Sequence, residues 1–266
     1  MIPIGDDNGC RKGTAWLTWT LIAVNVLVFA LIQGFGMNQA PISGYAAVPA
    51  ELLSGQDVVT AARRLVEPWS GRVLRVPGLA PTRIPVLLTL LTSMFLHGGL
   101  AHLAGNMLFL GIFGDNVECR VGRGRYLALY LASGVVGTLA HVAVSAISGE
   151  GLYTPMIGAS GAISGILGAY LVLFPGNRIT VLMFGFIPTV LSAWIVIGLW
   201  FFMQVSGGLS GWSSGGVAYI AHIGGFVAGW VWARGYRRRE AERLAREREA
   251  RLRAGLAHSP LWWIVE

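Results

Sequence analysis

Residues 157–174 read IGASGAISGILGAYLVLF, an apolar run with no charged side chain. A helix of this length crosses most of the hydrocarbon core of a bilayer, and its small residues let a second helix approach closely. The run belongs to a longer stretch, Tyr126 to Ala233, in which Glu150 and Arg178 are the only formally charged residues. A soluble fold needs far more surface charge, so this stretch predicts an integral membrane protein.

The composition of the whole chain agrees with this prediction. Of its 266 residues 54% are hydrophobic and 12% are charged, whereas a soluble domain has about 25% charged residues. The net charge of +7 could suggest nucleic acid binding, but nine arginines lie in residues 234–266. Such a tail is typical of a cytoplasmic segment that fixes orientation, so we expect no nucleic-acid partner. Two cysteines, Cys10 and Cys119, support neither a disulfide framework nor a metal cluster.

Apolar runs predict an all-α fold with six transmembrane helices in a compact bundle. The predicted spans are residues 14–32, about 100–113, 126–147, 157–174, 179–205 and 216–233. They divide the chain into an N-terminal segment (1–14), a membrane domain (15–233) and a basic tail (234–266). Residues 33–98 form a long first loop on the extracytoplasmic side, part of it at membrane depth.

Short loops decide the orientation, because cytoplasmic loops carry an excess of Arg and Lys. Arg120, Arg123 and Arg125 lie between the second and third spans, and Arg178 lies between the fourth and fifth. The arginine-rich tail follows the sixth span. Both termini are therefore predicted to be cytoplasmic.

Two polar side chains inside the predicted spans suggest chemistry. Ser160 lies near the outer end of the fourth span and His222 lies at a similar depth in the sixth. A serine in a membrane helix is ordinarily a packing residue, but a buried histidine is a functional hypothesis by default. Both helices have small residues at helical spacing, namely Gly161, Ser164, Gly165 and Gly168 on one and Ala221, Gly225 and Gly229 on the other. Close packing would bring Ser160 to His222 as a nucleophile and its base, without an acidic third member.

The second span has His102 and Asn106 four residues apart, on one face of a helix. With the Ser160 amide they could bind a developing oxyanion, although a structural hydrogen-bond pair is the alternative. His97 is badly spaced from His102 for a helical metal pair, and the spans lack acidic or cysteine ligands. We therefore expect no metal, and expect His97 to tie the first loop to the second helix.

These motifs together resemble the rhomboid family of intramembrane serine proteases, in its bacterial six-span form. The resemblance rests on His97-x4-His102-x3-Asn106, Gly158-x-Ser160-Gly161 and Ala221-His222-x2-Gly225-x3-Gly229. It implies a serine endopeptidase in the bacterial inner membrane that cleaves transmembrane segments of single-span or other membrane proteins and needs no cofactor. Ser160 and His222 would be catalytic, and His102, Asn106 and the Ser160 amide would bind the oxyanion.

The resemblance implies further roles and also has gaps. Glu118 would pair with an arginine, and the fifth span, with Pro188, resembles the family's lateral gate. The chain has Leu88 and Thr89 where members often have Trp-Arg. It has Ser164 where some relatives pack an aromatic ring on the catalytic histidine.

Two alternatives to a protease remain: a catalytically inactive rhomboid-like factor that binds membrane proteins, and a transporter using His222 and His141 as a proton relay.

Overall fold

The computed structural model describes residues 1–7, 15–66, 73–76, 78–209 and 218–253. Cys10, residues 210–217, which include the first two residues of the predicted sixth span, and the end of the tail (254–266) lie outside the described residues.

The described chain is mostly helical, with two small antiparallel sheets. In chain order the helices are α1 (Trp16–Leu27), α2 (Ala40–Tyr45), α3 (Pro49–Ser54), α4 (Thr89–Thr92), α5 (Leu100–Val121), α6 (Arg123–Ser148), α7 (Ser160–Leu173), α8 (Ala193–Leu209) and α9 (Tyr219–Arg253). The strands are β1 (Ile2–Asp6), β2 (Arg63–Val66), β3 (Val73–Val76), β4 (Arg178–Met183) and β5 (Ile187–Ser192). A π-helical turn, Val28–Ile32, continues α1.

Helix α7 lies at the centre of the bundle and packs against α9, α6 and α5. Its side chains Ile166, Leu167 and Tyr170 are buried completely or almost completely. The apolar run over residues 157–174 thus forms the centre of the hydrophobic core. Helices α6 and α7 match two predicted spans within three residues, and α1 with its π-helical turn covers most of the first. Helix α5 continues to Val121, eight residues beyond the predicted end of the second span. Helix α9 continues the sixth span into the basic tail without a break as far as Arg253.

The prediction of a fifth span over 179–205 is wrong in its first half. Strands β4 and β5 form a hairpin there, and β1 pairs with β4 to give a sheet of order β1-β4-β5. The turn places Phe184 and Gly185 at positive φ, which a membrane helix does not accommodate. The proline expected in the gate helix, Pro188, lies instead in β5, an edge strand where its missing N–H is tolerated. The all-α expectation therefore holds only for the bundle.

The first loop contains helices α2, α3 and α4 and the β2–β3 hairpin. Its last part, Val86–Phe95, meets α5 at a bend of 82°. Helix α5 begins at Leu100, as expected. By length and composition, α6 is the one described helix that could cross a membrane alone, and Val86–Phe95 with α5 passes only as a bent pair. Segment Trp16–Ile32, α7 and α8 are apolar but shorter.

The buried Glu118 side chain joins α5 to the start of α1. Its carboxylate accepts hydrogen bonds from the amides of Leu17 at 3.1 Å and Thr18 at 2.7 Å, and from the Thr18 hydroxyl at 2.8 Å. The expected ion pair exists with Arg123, at 3.7 Å. The first amides of a helix lack partners within the helix and carry partial positive charge, so this carboxylate caps α1.

Candidate active site

Ser160 is the first residue of α7. Two residues before it, at Gly158, the backbone lies close to the segment that precedes α5. Gly158 has φ of +115°, and its amide donates to the Ser93 carbonyl oxygen at 2.8 Å. This hydrogen bond fixes the turn against the segment before α5. As the first residue of the helix, Ser160 also has a backbone N–H that lacks a partner within the helix.

His222 lies in the first turn of α9 and contacts Ser160. Its Nε2 is 2.7 Å from the Ser160 Oγ, the distance of a good hydrogen bond. The two residues are thus brought together across two helices, as the sequence predicted. An imidazole nitrogen at this distance can accept the hydroxyl proton when the oxygen attacks an electrophile.

Glycines permit this contact. A Cβ on Gly225 would lie 2.0 Å from the Gly161 carbonyl oxygen, and one on Gly229 would lie 1.9 Å from the Gly165 oxygen. Such distances leave no room for any side chain, so the backbones of α7 and α9 touch. The predicted small-residue faces on the two helices are therefore confirmed.

Gln204 on α8 is a member of the site that sequence reasoning missed. Its Oε1 lies 2.8 Å from the Nδ1 of His222, the ring nitrogen opposite the serine. Trp200, one turn earlier on α8, has its ring centroid 6.2 Å from that of His222, with the planes at 32°. Trp200 and Gln204 are four residues apart, so the sequence could have shown that they share one face of a helix. The predicted fifth span began too early, however, and did not show which face of α8 points to the site.

His102 and Asn106 lie beside the turn that precedes Ser160. A Cβ on Gly158 would meet the His102 ring at 2.8 Å and the Asn106 Nδ2 at 3.7 Å. The Gly98 amide donates to His102 Nδ1 at 3.3 Å, which leaves Nε2 as the protonated nitrogen on the side of Gly158. The Asn106 Nδ2 is buried and has no hydrogen-bond partner among the described residues. Two N–H donors are thus available near Ser160.

His97 lies behind this group, fully buried. Its backbone is bound by the Gln33 side chain, which accepts from the His97 amide at 2.9 Å and donates to its carbonyl at 2.8 Å. Its ring packs edge-on against His102, with centroids 5.2 Å apart. His97 therefore links Gln33, at the start of the first loop, to His102 on α5.

A cavity of about 1210 Å³ opens onto these groups. Its described lining includes the polar side chains Ser160, His222, His102, Asn106, Gln204, His141 and Glu150. Its apolar wall includes Phe109, Met156, Leu167 and Trp200. Across residues 1–7, 15–66, 73–76, 78–209 and 218–253, no three His, Cys, Asp or Glu side chains are grouped as metal ligands would be. The arrangement suits acyl transfer: a nucleophile with a base, donors for an oxyanion and space for water.

Comparison with known proteins gives a consistent family. Residues 85–239, more than half of the chain, match the Rhomboid domain. The chain is 46% identical over 89 residues to Rhomboid protease GluP of Bacillus subtilis, covering 34% of this chain and 16% of that protein. It is 32% identical over 108 residues to Rhomboid protein 1, mitochondrial, of Saccharomyces cerevisiae, covering 41% and 30%.

A third relative is the human Presenilin-associated rhomboid-like protein, mitochondrial, which is 29% identical over 162 residues, covering 61% of this chain and 34% of that protein. The matches thus span less than half the length of each of these relatives. Because the domain match covers more than half of this chain and includes α5, α6, α7 and α8, the chain belongs to the rhomboid family, a family of membrane proteins.

Proposed function

We propose that this chain is an intramembrane serine endopeptidase that cleaves transmembrane segments of membrane proteins. The observation that carries the proposal is the 2.7 Å contact between Ser160 Oγ and His222 Nε2, beside a cavity large enough for water and a peptide segment. Rhomboid protease GluP, with which the chain shares 46% identity over 89 residues, supports the protease assignment.

In the proposed reaction, the Ser160 oxygen attacks the scissile carbonyl carbon while His222 Nε2 takes the hydroxyl proton. The negative charge that develops on the carbonyl oxygen receives hydrogen bonds from His102, Asn106 and the Ser160 amide. His222 then gives its proton to the leaving amine, and an ester with Ser160 remains. Water, deprotonated by His222, hydrolyses this ester and regenerates the serine.

The proposed setting is a bilayer crossed by six helical segments, with the membrane domain over residues 15–233 and both termini in the cytoplasm of a bacterium. Large apolar side chains on the bundle surface support this setting, since Leu31, Trp194, Phe202 and Val231 are each more than half exposed. Soluble proteins rarely expose so much apolar surface. The substrates we propose are single-span or other membrane proteins, cut where Gly, Ala or helix-breaking residues free the backbone.

Labelling with a fluorophosphonate probe tests the proposal. The full chain, folded in detergent, should be labelled covalently, and Ser160→Ala and His222→Ala should abolish labelling. The matched control is Ser164→Ala, one turn further along α7, where the hydroxyl donates to the Ser160 carbonyl oxygen at 2.6 Å. Labelling of Ser160→Ala equal to that of wild type would refute the serine assignment.

A second candidate is a catalytically inactive factor that binds membrane proteins, favoured by the likeness to a mitochondrial protein named only as rhomboid-like. It predicts that the folded wild-type chain captures a transmembrane peptide without cutting it. Incubation with a fluorogenic transmembrane peptide in proteoliposomes separates the two functions, because only the protease consumes the peptide.

A further inference from the structure

Among the described residues, the ring nitrogens of His222 lie within hydrogen-bond distance of Gln204 and Ser160, so no acidic side chain is needed to orient the ring. Ser164 lies one turn after Ser160 on α7. It is fully buried, and its hydroxyl is bonded to the backbone of its own helix. Another element must therefore hold the imidazole, and α8 is the element in contact.

The Gln204 side chain is fixed at both ends of its amide. Its Nε2 donates to the Trp200 carbonyl oxygen, although at a long 3.4 Å. A carbonyl oxygen can only accept, so the amide nitrogen must face Trp200 and Oε1 must face His222. Gln204 is 9% exposed and lines the cavity beside His222.

This orientation determines which imidazole nitrogen carries the proton. Oε1 only accepts, so Nδ1 of a neutral His222 at 2.8 Å must be the N–H donor. Nε2 then presents its lone pair to the Ser160 hydroxyl at 2.7 Å. The three hydrogen bonds then all point the same way: Ser160 donates to His222, His222 donates to Gln204, and Gln204 donates to the Trp200 carbonyl oxygen.

We propose that Gln204 is a positioning residue that holds His222 in the tautomer required of a base, and so serves as an uncharged third member of the site. The inference rests on the proposed protease function. The tilted Trp200 ring supports the imidazole from the same helix.

The test compares Gln204→Met, which keeps the length of the side chain but removes the acceptor, with Gln204→Glu, which keeps an acceptor oxygen. The full chain is assayed in proteoliposomes with a fluorogenic transmembrane peptide. We expect Gln204→Met to lower kcat about 10- to 100-fold, because a misplaced tautomer removes the base while binding is unaffected. KM should change less than about twofold, and Gln204→Glu should keep kcat within about fivefold of wild type.

The control variant is Phe202→Leu, on the same helix but 64% exposed on the bundle surface, which should leave kcat unchanged. Thermal unfolding verifies that every variant is folded. The proposal is overturned if folded Gln204→Met keeps the wild-type kcat, or if Gln204→Glu loses as much as Gln204→Met.

A spectroscopic readout separates this inference from the proposed function. In histidine-labelled protein, assigned by comparison with His222→Ala, the ¹⁵N spectrum should show His222 protonated on Nδ1, and Gln204→Met should shift it toward a mixture of tautomers. This measurement needs no turnover. Absence of labelling and cleavage in wild type would end the protease proposal, whereas an Nε2-protonated His222 in wild type would end the assignment of Gln204.

Discussion

At the scale of single residues, Gly158 decides whether the proposed oxyanion donors His102 and Asn106 can lie close to Ser160. Its φ of +115° is unfavourable for any residue with a Cβ. A Cβ there would also lie 2.9 Å from the His102 Nε2, which is closer than a Cβ atom normally lies to another heavy atom. Glycine therefore places the His102 donor next to the turn that leads into Ser160.

Gly158→Ala should lower kcat about 100-fold, since a displacement of about 1 Å in a catalytic group can cost this much. Cleavage of a fluorogenic transmembrane peptide by the reconstituted chain measures the effect. The matched control is Gly124→Ala, in the first turn of α6 and outside the cavity lining, where a Cβ meets nothing within 4 Å. Equal rates for Gly158→Ala and wild type would show that the close approach is not needed.

Asp6 is a second residue whose surroundings set its behaviour. Its Oδ2 accepts from the Asn116 side chain at 2.7 Å and from the Tyr170 hydroxyl at 2.5 Å. Burial raises the pKa of the Asp6 carboxyl from 3.8 to about 6, with smaller increases from Asp115 and Asp7 and opposition from the two hydrogen bonds. Near neutral pH the ionised Asp6 carboxylate is therefore poorly solvated, which destabilises the folded chain.

The sign of the pH effect follows from this raised pKa. The Asp6 carboxyl binds its proton more tightly in the folded chain than in the unfolded chain. The stabilisation that this protonation gives to the fold is therefore complete below about pH 4 and is lost as the pH rises through about 6. Asp6→Asn, which resembles the protonated form, should raise the unfolding temperature at pH 7.5 but not at pH 4. Thermal unfolding of both proteins in detergent measures this, and an equal difference at the two pH values would contradict it.

At the scale of elements, the link between α1 and α5 depends on one carboxylate. Glu118 is 3% exposed and accepts from two amides of α1, whereas its ion-pair partner Arg123 is 65% exposed and 3.7 Å away. Hydrogen bonds from free helix amides to a buried charge contribute more than a solvated ion pair. The role of Glu118 is thus primarily that of a helix cap.

Glu118→Ala should reduce the free energy of unfolding by about 3 kcal/mol, because it leaves buried amides without an acceptor. Arg123→Ala should cost less than about 1 kcal/mol. Unfolding of both variants in mixed micelles gives the comparison, and a larger loss for the arginine variant would assign the stability to the ion pair instead.

At the scale of the whole molecule, the basic part of α9 and the proposed catalytic pair lie at opposite ends of the bundle. Strand β1 pairs with β4, and Arg120 pairs with Glu240 of α9 at 2.6 Å. These contacts gather the N-terminal strand, the end of α5, the β4–β5 hairpin and the basic part of α9. Ser160 and His222 lie at the other ends of α7 and α9, as the proposed orientation requires.

Cysteine labelling tests this orientation. In a variant with Cys10 and Cys119 changed to serine, a cysteine at Tyr153, in the turn before α7, should react with a membrane-impermeant maleimide in intact cells. A cysteine at Ile4 in β1 should react only after the cells are permeabilised. Tyr153 and Ile4 are both exposed, so accessibility depends on the side of the membrane, and the reverse pattern would invert the proposed orientation.

The sequence by itself located most of the bundle helices and predicted the contact between Ser160 and His222 near one end of the bundle. Apolar length and small-residue spacing are local properties, and they located α7 and α9 and predicted that Ser160 would meet His222. Local patterns did not reveal that residues 178–192 form a hairpin, because an apolar strand and an apolar helix segment have the same composition.

Only the tertiary structure decided the partners that come from distant parts of the chain. Gln204 reaches His222 because α8 begins after the hairpin, which sets the rotation of that helix. Glu118 reaches α1 over about a hundred residues of sequence, and Asp6 reaches Tyr170 through pairing of β1 with β4. Side-chain type sets what a group can donate or accept, but packing of the whole chain sets which group stands opposite it.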